Sequence, residues 1–199
     1  MLRLRRGGVT KDDDIGWNPD ASLIDAPALE GVDAVVHPAG EGIGERRWTD
    51  EQKARIRDSR IRGTAVIAAA IASRERKPAV FVSGSAVGIY GVRDDAVTED
   101  SPLGDDFLAG ICKAWEAETQ PVSDAGVRTV MIRSGIVLAA HGGVLKRLLL
   151  PFKLGLGGKQ GSGSRLARDL TEIAQAADRV AHVEEQAEPV RAHGAVLGH

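Results

Sequence analysis

Three short apolar runs punctuate the first two thirds of the chain: residues 33–37 (DAVVH), 79–82 (AVFV) and 129–132 (TVMI). Each is rich in β-branched residues and lacks strict alternation, the pattern of strands covered on both faces. Residues 2–6 are a thinner strand candidate. Helical spacing fills the gaps. One helix starts at Thr49, with Gln52 three residues on in a capping-box pattern, and runs to about Ser73. Its second half sets Ile61, Ala65, Ala68, Ala69 and Ala72 on one small-residue side, and Pro78 prevents its continuation. A second helix is expected over 105–124, with Phe107, Leu108, Ile111, Cys112 and Trp115 as its apolar stripe and Gly126 as its stop. The alternation of strand and helix predicts a doubly wound α/β sheet. Beyond Gly135 the chain turns loop-rich, with a glycine- and serine-rich stretch at 154–164. Helical spacing returns over 169–185, before a tail that reads as an unanchored terminus.

Polar and glycine residues gather just after the strands. His37-Pro-Ala39-Gly40-Glu41 follows the first run, Ser83-Gly-Ser85 the second and Arg133-Ser-Gly135 the third. Open α/β sheets bind ligands at the carboxyl ends of their strands, so three such clusters at one edge predict a site there.

Composition narrows the reading mainly by exclusion. A net charge of -2 provides no global field for nucleic acid or an anionic membrane, and 4% aromatics leaves little for base stacking. The arginines at 46, 47, 55, 57, 60 and 62 have acidic neighbours and read as a solvated helix face. No apolar run approaches a bilayer span, and the first residues lack a signal-peptide apolar segment. One cysteine, Cys112, excludes an internal disulfide and fits a cytoplasmic protein. Expected partners are therefore a small-molecule substrate and a second copy of the chain, with neither nucleic acid nor membrane. No histidine or cysteine spacing suggests a metal.

Several segments together resemble the extended short-chain dehydrogenase/reductases, the NAD-dependent epimerase/dehydratase family. DAVVHPAG is similar to that family's segment after its fourth strand, SGSAVGIYG to its Ser-x-x-Val-Tyr-Gly segment, TEDSP to the acidic stretch that follows, and IRSGIVL to the closing strand and turn. AGE, RRWT, DDFLAGICKAWE and LPFKLGLGGKQGSG resemble an epimerase-like subgroup within it. The resemblance implies a Rossmann-like parallel sheet and NADP or NAD as cofactor. It places Arg3, Arg5 and Arg6 where a 2′-phosphate is read, and His37, Ala39, Gly40, Ser83 and Arg133 along the cofactor edge. Ser85 is the expected catalytic hydroxyl, assisted by Tyr90, and Glu41 and Trp48 are expected to face substrate. The implied activity is an NAD(P)-dependent oxidoreductase working on a carbonyl or hydroxyl of a small or nucleotide-linked molecule.

The same resemblance marks departures. The family's Tyr-x-x-x-Lys would fall near 107–112, where the chain has FLAGIC, and a family asparagine is replaced by Arg60. The glycine-rich phosphate loop, with its strand and helix, has no counterpart. GEGIG at 40–44 and GLGGKQGSG at 155–163 lack the required spacing and context. Missing the first strand would split the sheet at its centre and leave an apolar edge open for pairing. The chain thus reads as a fragment, impaired as an enzyme. Residues 1–140 are a partial nucleotide domain, 141–168 a substrate-side loop region, and 169–199 a divergent helical tail. The alternatives are a non-catalytic nucleotide-binding scaffold and a remnant without function.

Overall fold

The computed structural model describes residues 1–7, 11–44 and 46–137, together with the strand Ala195–Val196. Met1–Gly135 and Ala192–His199 form one compact unit; Ile136–Arg191 form a second, almost all of it outside the described residues. The helix expected over 169–185 and the loop at 154–164 also lie outside them.

Strands β1 (Arg3–Arg5), β2 (Asp14–Asn18) and β3 (Leu23–Ile24) make one sheet, with β1 and β2 parallel and β3 antiparallel. Strand β4 (Ala34–His37), helix α1 (Asp50–Ala72), strand β5 (Val80–Ala86), helices α2 (Phe107–Ala117) and α3 (Gln120–Asp124), and strand β6 (Arg128–Ser134) follow. With β7 (Ala195–Val196) they build an all-parallel sheet in the order β6-β5-β4-β7. This is the mixed α/β, Rossmann-like architecture expected. Strand β7 occupies the edge of β4 that the sequence left open.

The core is built where β-branched and small residues meet. Val35, Phe81, Ile67, Ala68 and Ile71 are all fully buried, and Leu4, Ile15 and Trp17 join them from the smaller sheet. Helix α1 buries Ile56, Gly63, Thr64, Ile67, Ala68 and Ile71, so its inner face is rotated from the expected one; Ala69 is exposed. Gly63 explains the rotation. A Cβ there would lie 3.3 Å from the Trp17 ring and 3.4 Å from His37 Nε2, so only glycine lets these two rings pack directly on the helix. The Thr49 cap forms as expected, its Oγ1 accepting from the Gln52 amide at 3.2 Å. The reciprocal half of the box does not form, because the Gln52 side chain donates to Glu41 Oε1 instead.

The helix expected over 105–124 is two helices. Helix α2 ends at Ala117, and α3 restarts at Gln120 with Pro121 in its first turn, where its missing amide costs nothing. Trp115 Nε1 donates to Thr64 Oγ1 at 2.8 Å in a buried bond that fixes α2 on α1. That bond sets the depth at which the last turn of α2 meets β5.

Candidate functional site

Along β5 the side chains of Phe81, Ser83 and Ser85 share the buried face, while Val80, Val82 and Gly84 lie on the other. The alternation follows from strand geometry and carries a hydroxyl into the interior at the strand's carboxyl end. Gly84 is required there: a Cβ would lie 3.0 Å from the Trp115 ring and 3.1 Å from Pro38 Cα. Ser85 Oγ donates to Glu116 Oε1 at 2.6 Å. Glu116, in the last turn of α2, accepts two more bonds from Arg133 on β6: Nε to Oε1 and Nη2 to Oε2, both 2.9 Å. Arg133 Nη1 in turn donates to Tyr90 Oη at 2.7 Å, and its guanidinium sits 5.3 Å from the Tyr90 ring centre. Four residues from β5, the following turn, α2 and β6 thus form one continuous hydrogen-bond chain.

The electrostatics of this chain follow from its geometry. Burial pushes the Glu116 carboxyl up, but the bidentate Arg133 contact and the Ser85 bond outweigh it and hold the group below its ordinary range. Arg133 is correspondingly held above its ordinary value, chiefly by Glu116. Glu116 is therefore a carboxylate that only accepts, and the Ser85 proton is committed to it. Ser85 Oγ keeps its lone pairs for another donor. Tyr90 is in the opposite situation: its oxygen accepts from a cation and its own proton stays available to an acceptor. Tyr90 and Arg133 both line a cavity of about 660 Å³, walled further by Val97, Thr98 and Met131.

A second cavity, of about 230 Å³, opens between β1 and the loop after β4. Leu4, Arg5, Arg6, Trp17, Ala39, Gly40 and Glu41 line it. The Arg6 guanidinium stacks 4.9 Å from the Trp17 ring centre, and Arg5 pairs with the buried Asp14 at 3.7 Å. Gly40 permits the close approach of Arg60, whose Cζ would be 2.9 Å from a Cβ at that position. Arg60 Nη1 donates to the Glu41 and Ile56 carbonyls, and burial keeps its guanidinium below the ordinary value. The loop is further pinned by the Glu41 amide donating to Ser59 Oγ at 2.9 Å.

The structure therefore brings Arg5, Arg6, Ala39, Gly40 and Glu41 to one cavity, and Ser85, Tyr90 and Arg133 to the hydrogen-bond chain. Arg3 is exposed and does not line the cavity. His37 is fully buried under Trp17, edge-on at 5.7 Å, and Ser83 is fully buried with its hydroxyl bonded to the Gly84 carbonyl. Trp48 stands partly exposed, its Nε1 donating to the Ile43 carbonyl at 2.7 Å and its ring edge-on to Phe107 at 5.8 Å. Cys112 is buried and its thiol is pushed up by burial, as for an inert core cysteine. Glu116 was missed from sequence. The available signal was its position four residues after Cys112 and beside Trp115, at the border of the apolar stripe, where a charge needs a partner. Among the described residues no group of three or more histidines, cysteines or carboxylates is arranged to hold a metal.

Residues 12–133 match the model of the NAD dependent epimerase/dehydratase family. The chain belongs to this family. An epimerase family protein of Mycobacterium bovis is 41% identical over 164 residues, covering 82% of this chain and 54% of that protein. Among solved structures, the nucleoside-diphosphate sugar epimerase from Corynebacterium glutamicum is 39% identical with a TM-score of 0.66, over 78% of this chain and 32% of that one. The human epimerase family protein SDR39U1 (isoform 2), solved with NADPH, is 35% identical with a TM-score of 0.68, over 81% of this chain and 54% of that one. The chain spans about half the length of the curated relatives it matches.

The residues present fit part of a nicotinamide dinucleotide. Two guanidinium groups, an indole and the backbone of Ala39–Gly40 converge on the cavity between β1 and β4, which suits an adenosine moiety carrying phosphate. The described residues contain no glycine-rich turn leading into a helix for the pyrophosphate.

Proposed function

We propose that this chain carries the adenosine-phosphate edge and the proton-handling cluster of an NADP-preferring oxidoreductase of the epimerase/dehydratase type. Its substrate would be a hydroxyl or carbonyl compound, small or nucleotide-linked. The observation that supports this reading is the Ser85–Glu116–Arg133–Tyr90 chain at the carboxyl edge. Arg5 and Arg6 would hold the 2′-phosphate, and Ala39 and Gly40 would let the dinucleotide lie against the backbone. When bound, the nicotinamide supplies or accepts the hydride. The protein's own part is the proton at the substrate oxygen. A substrate hydroxyl finds its acceptor in Ser85 Oγ, whose own proton points at Glu116. A substrate carbonyl oxygen finds its donor in Tyr90, held by Arg133. A lysine is not needed for this polarity, because Arg133 provides the cation beside the phenol. Arg133 and Tyr90 thereby replace the cation and phenol that a Tyr-x-x-x-Lys pair would supply from 107–112.

Titration with NADPH and NADH, followed through fluorescence of Trp17 in the cavity wall, tests the cofactor part. Saturable binding with preference for NADPH is expected, and R5A/R6A should remove the preference. Equal affinity for both cofactors in the unsubstituted protein would overturn the assignment of the two arginines. If the protein binds the cofactor, S85A should abolish oxidation of a responsive hydroxyl substrate with the oxidised cofactor while leaving cofactor binding intact. Unchanged turnover would exclude the serine. A second reading, binding of nucleotide without catalysis, is favoured by FLAGIC in place of Tyr-x-x-x-Lys; binding by a protein inert to a broad panel of carbonyl compounds would select it.

A further inference from the structure

Strand β7 is the least expected element of the fold. Ala195 and Val196 pair in parallel with Val35 and Val36 of β4, and the strand also lies alongside β1. Counting it between them, the strands run β2-β1-β7-β4-β5-β6. On one side of β7 the chain order rises outward through β4, β5 and β6; on the other it rises through β1 and β2. Strand β7 therefore stands where the strand order reverses, the position at which open α/β sheets bind their ligands. Because the pairing is parallel, its carboxyl end lies at the same edge as that of β4.

The 230 Å³ cavity has the same bipartite origin. Leu4, Arg5 and Arg6 reach it from the β1 side, and Ala39, Gly40 and Glu41 from the β4 side. The slot between these walls is bordered by Leu4 and Val35, both buried. A strand in that slot holds the two walls at a fixed spacing, and its loss would free them to move apart and expose an apolar edge.

We propose that Ala195–Val196 is a docking strand: the tail of this chain closes the sheet at the switch point, and nucleotide binding at the Arg5/Arg6 cavity depends on that docking. The second half of this inference rests on the nucleotide reading above; the first does not.

Register makes the docking testable without any ligand. In a C112A background, V36C/V196C places cysteines at paired positions, whereas V36C/A195C places them one residue out of register, on opposite faces of the sheet. Oxidation should give an intramolecular disulfide in the first pair only, read by mass spectrometry after tryptic digestion. Cross-linking of both pairs equally, of neither, or only between two copies would overturn the docking. Coupling is then measured with NADPH. Truncation after Arg191 should weaken its binding at least tenfold and speed amide exchange in β4. V196P, which puts a proline into this two-residue strand of an intact chain, should weaken binding in the same direction if the truncated chain fails to fold. The V36C/V196C disulfide should preserve binding. NADPH affinity unchanged by both truncation and V196P would overturn the coupling and leave the strand assignment standing. An unsubstituted protein that docks its tail but binds no NADPH would overturn the nucleotide reading, and the coupling with it.

Discussion

Acidification from pH 7.5 to 5 should cost this fold about 2 kcal/mol through a single imidazole, that of His37. The ring is fully buried, and neither of its nitrogens has a hydrogen-bond partner among the described residues. It packs edge-on against Trp17 and over Gly63. Burial, with a smaller contribution from the nearby Arg6 charge, lowers its pKa from 6.5 to about 4. In the unfolded chain the imidazole takes up a proton near its ordinary value, while in the folded one it stays neutral. Between those two values the unfolded state binds more protons, so stability is fully present above pH 6.5 and is lost as pH falls toward about 4. The slope approaches about 1.4 kcal/mol per pH unit, which over the interval from 6.5 to 5 gives roughly 2 kcal/mol. Carboxylates titrate lower and add their own acid sensitivity, so a difference measurement isolates the histidine. His37→Phe keeps an aromatic edge for Trp17 and loses no hydrogen bond; at pH 7.5 it should lie within about 1 kcal/mol of the parent. Urea unfolding of both proteins, followed by tryptophan fluorescence at intervals between pH 7.5 and 5, gives the comparison. The gap between them should shift by about 2 kcal/mol in favour of the phenylalanine variant as pH falls. Parallel stability curves would refute the claim that a neutral, unpartnered imidazole is buried at the base of the cavity wall.

Two further perturbations address the other cluster and the turn that holds Tyr90. R133M strips Glu116 of a bidentate partner and Tyr90 of its donor, leaving a carboxylate whose side chain is only 12% exposed. A loss of roughly 2–4 kcal/mol in thermal or urea unfolding is expected, with at least ~1 kcal/mol recovered in R133M/E116Q because the orphaned charge is gone; strict additivity would contradict the coupling. G104A puts a Cβ 2.6 Å from the Gly91 backbone and 2.9 Å from the Tyr90 carbonyl carbon, so it should destabilise by more than about 2 kcal/mol and displace Tyr90. The matched control G110A, in helix α2 with nothing within 4 Å of its Cβ, should instead stabilise by ~0.5–1 kcal/mol; similar effects from the two would show that backbone proximity at Gly104 is not what matters.

What could be read from sequence divides along physical lines. Strands β4 and β5 were legible because a parallel strand covered on both faces needs an uninterrupted β-branched run. Strand β6 carries such a run too, yet it lies at the sheet edge with none of its residues buried, so its expected two-sided cover does not form. Strand β2, Asp14–Asn18, was not, because DIGWN is short, begins with an acid and ends in the asparagine that caps the next turn. The acid itself turned out to be buried beside Arg5, an interaction that no local pattern announces. Helix α1 was placed correctly but rotated wrongly, since counting alanines ignores that Gly63 is the point of closest approach. Of the candidate site, Ser85 and Tyr90 followed from the motif alone. Their connection did not, because Glu116 and Arg133 lie 17 residues apart on elements that meet only after β6 pairs with β5.

That connection changes what the absence of Tyr-x-x-x-Lys means. In the expected pattern one helix provides both the phenol and the cation. Here the helix at that place provides a buried thiol at Cys112 and, one turn later, the carboxylate of Glu116. The cation comes from β6 and the phenol from the turn after β5, and the carboxylate organises both hydroxyl-bearing residues, Ser85 directly and Tyr90 through Arg133. The set of charges is also different. A lysine beside a tyrosine leaves net positive charge at the site, whereas Arg133 paired with Glu116 is neutral overall. A neutral cluster attracts an anionic substrate less strongly, and on the proposed reading phosphate recognition falls to Arg5 and Arg6 at the other cavity. On that reading proton handling and anion binding belong to two separate cavities. E116Q offers a direct check: removing the carboxylate's charge unbalances Arg133, and binding of an anionic carbonyl compound at the Tyr90 cavity should tighten, more at low than at high ionic strength. Unchanged affinity and unchanged salt dependence would mean that Arg133 does not face the ligand, and the division of labour would have to be abandoned.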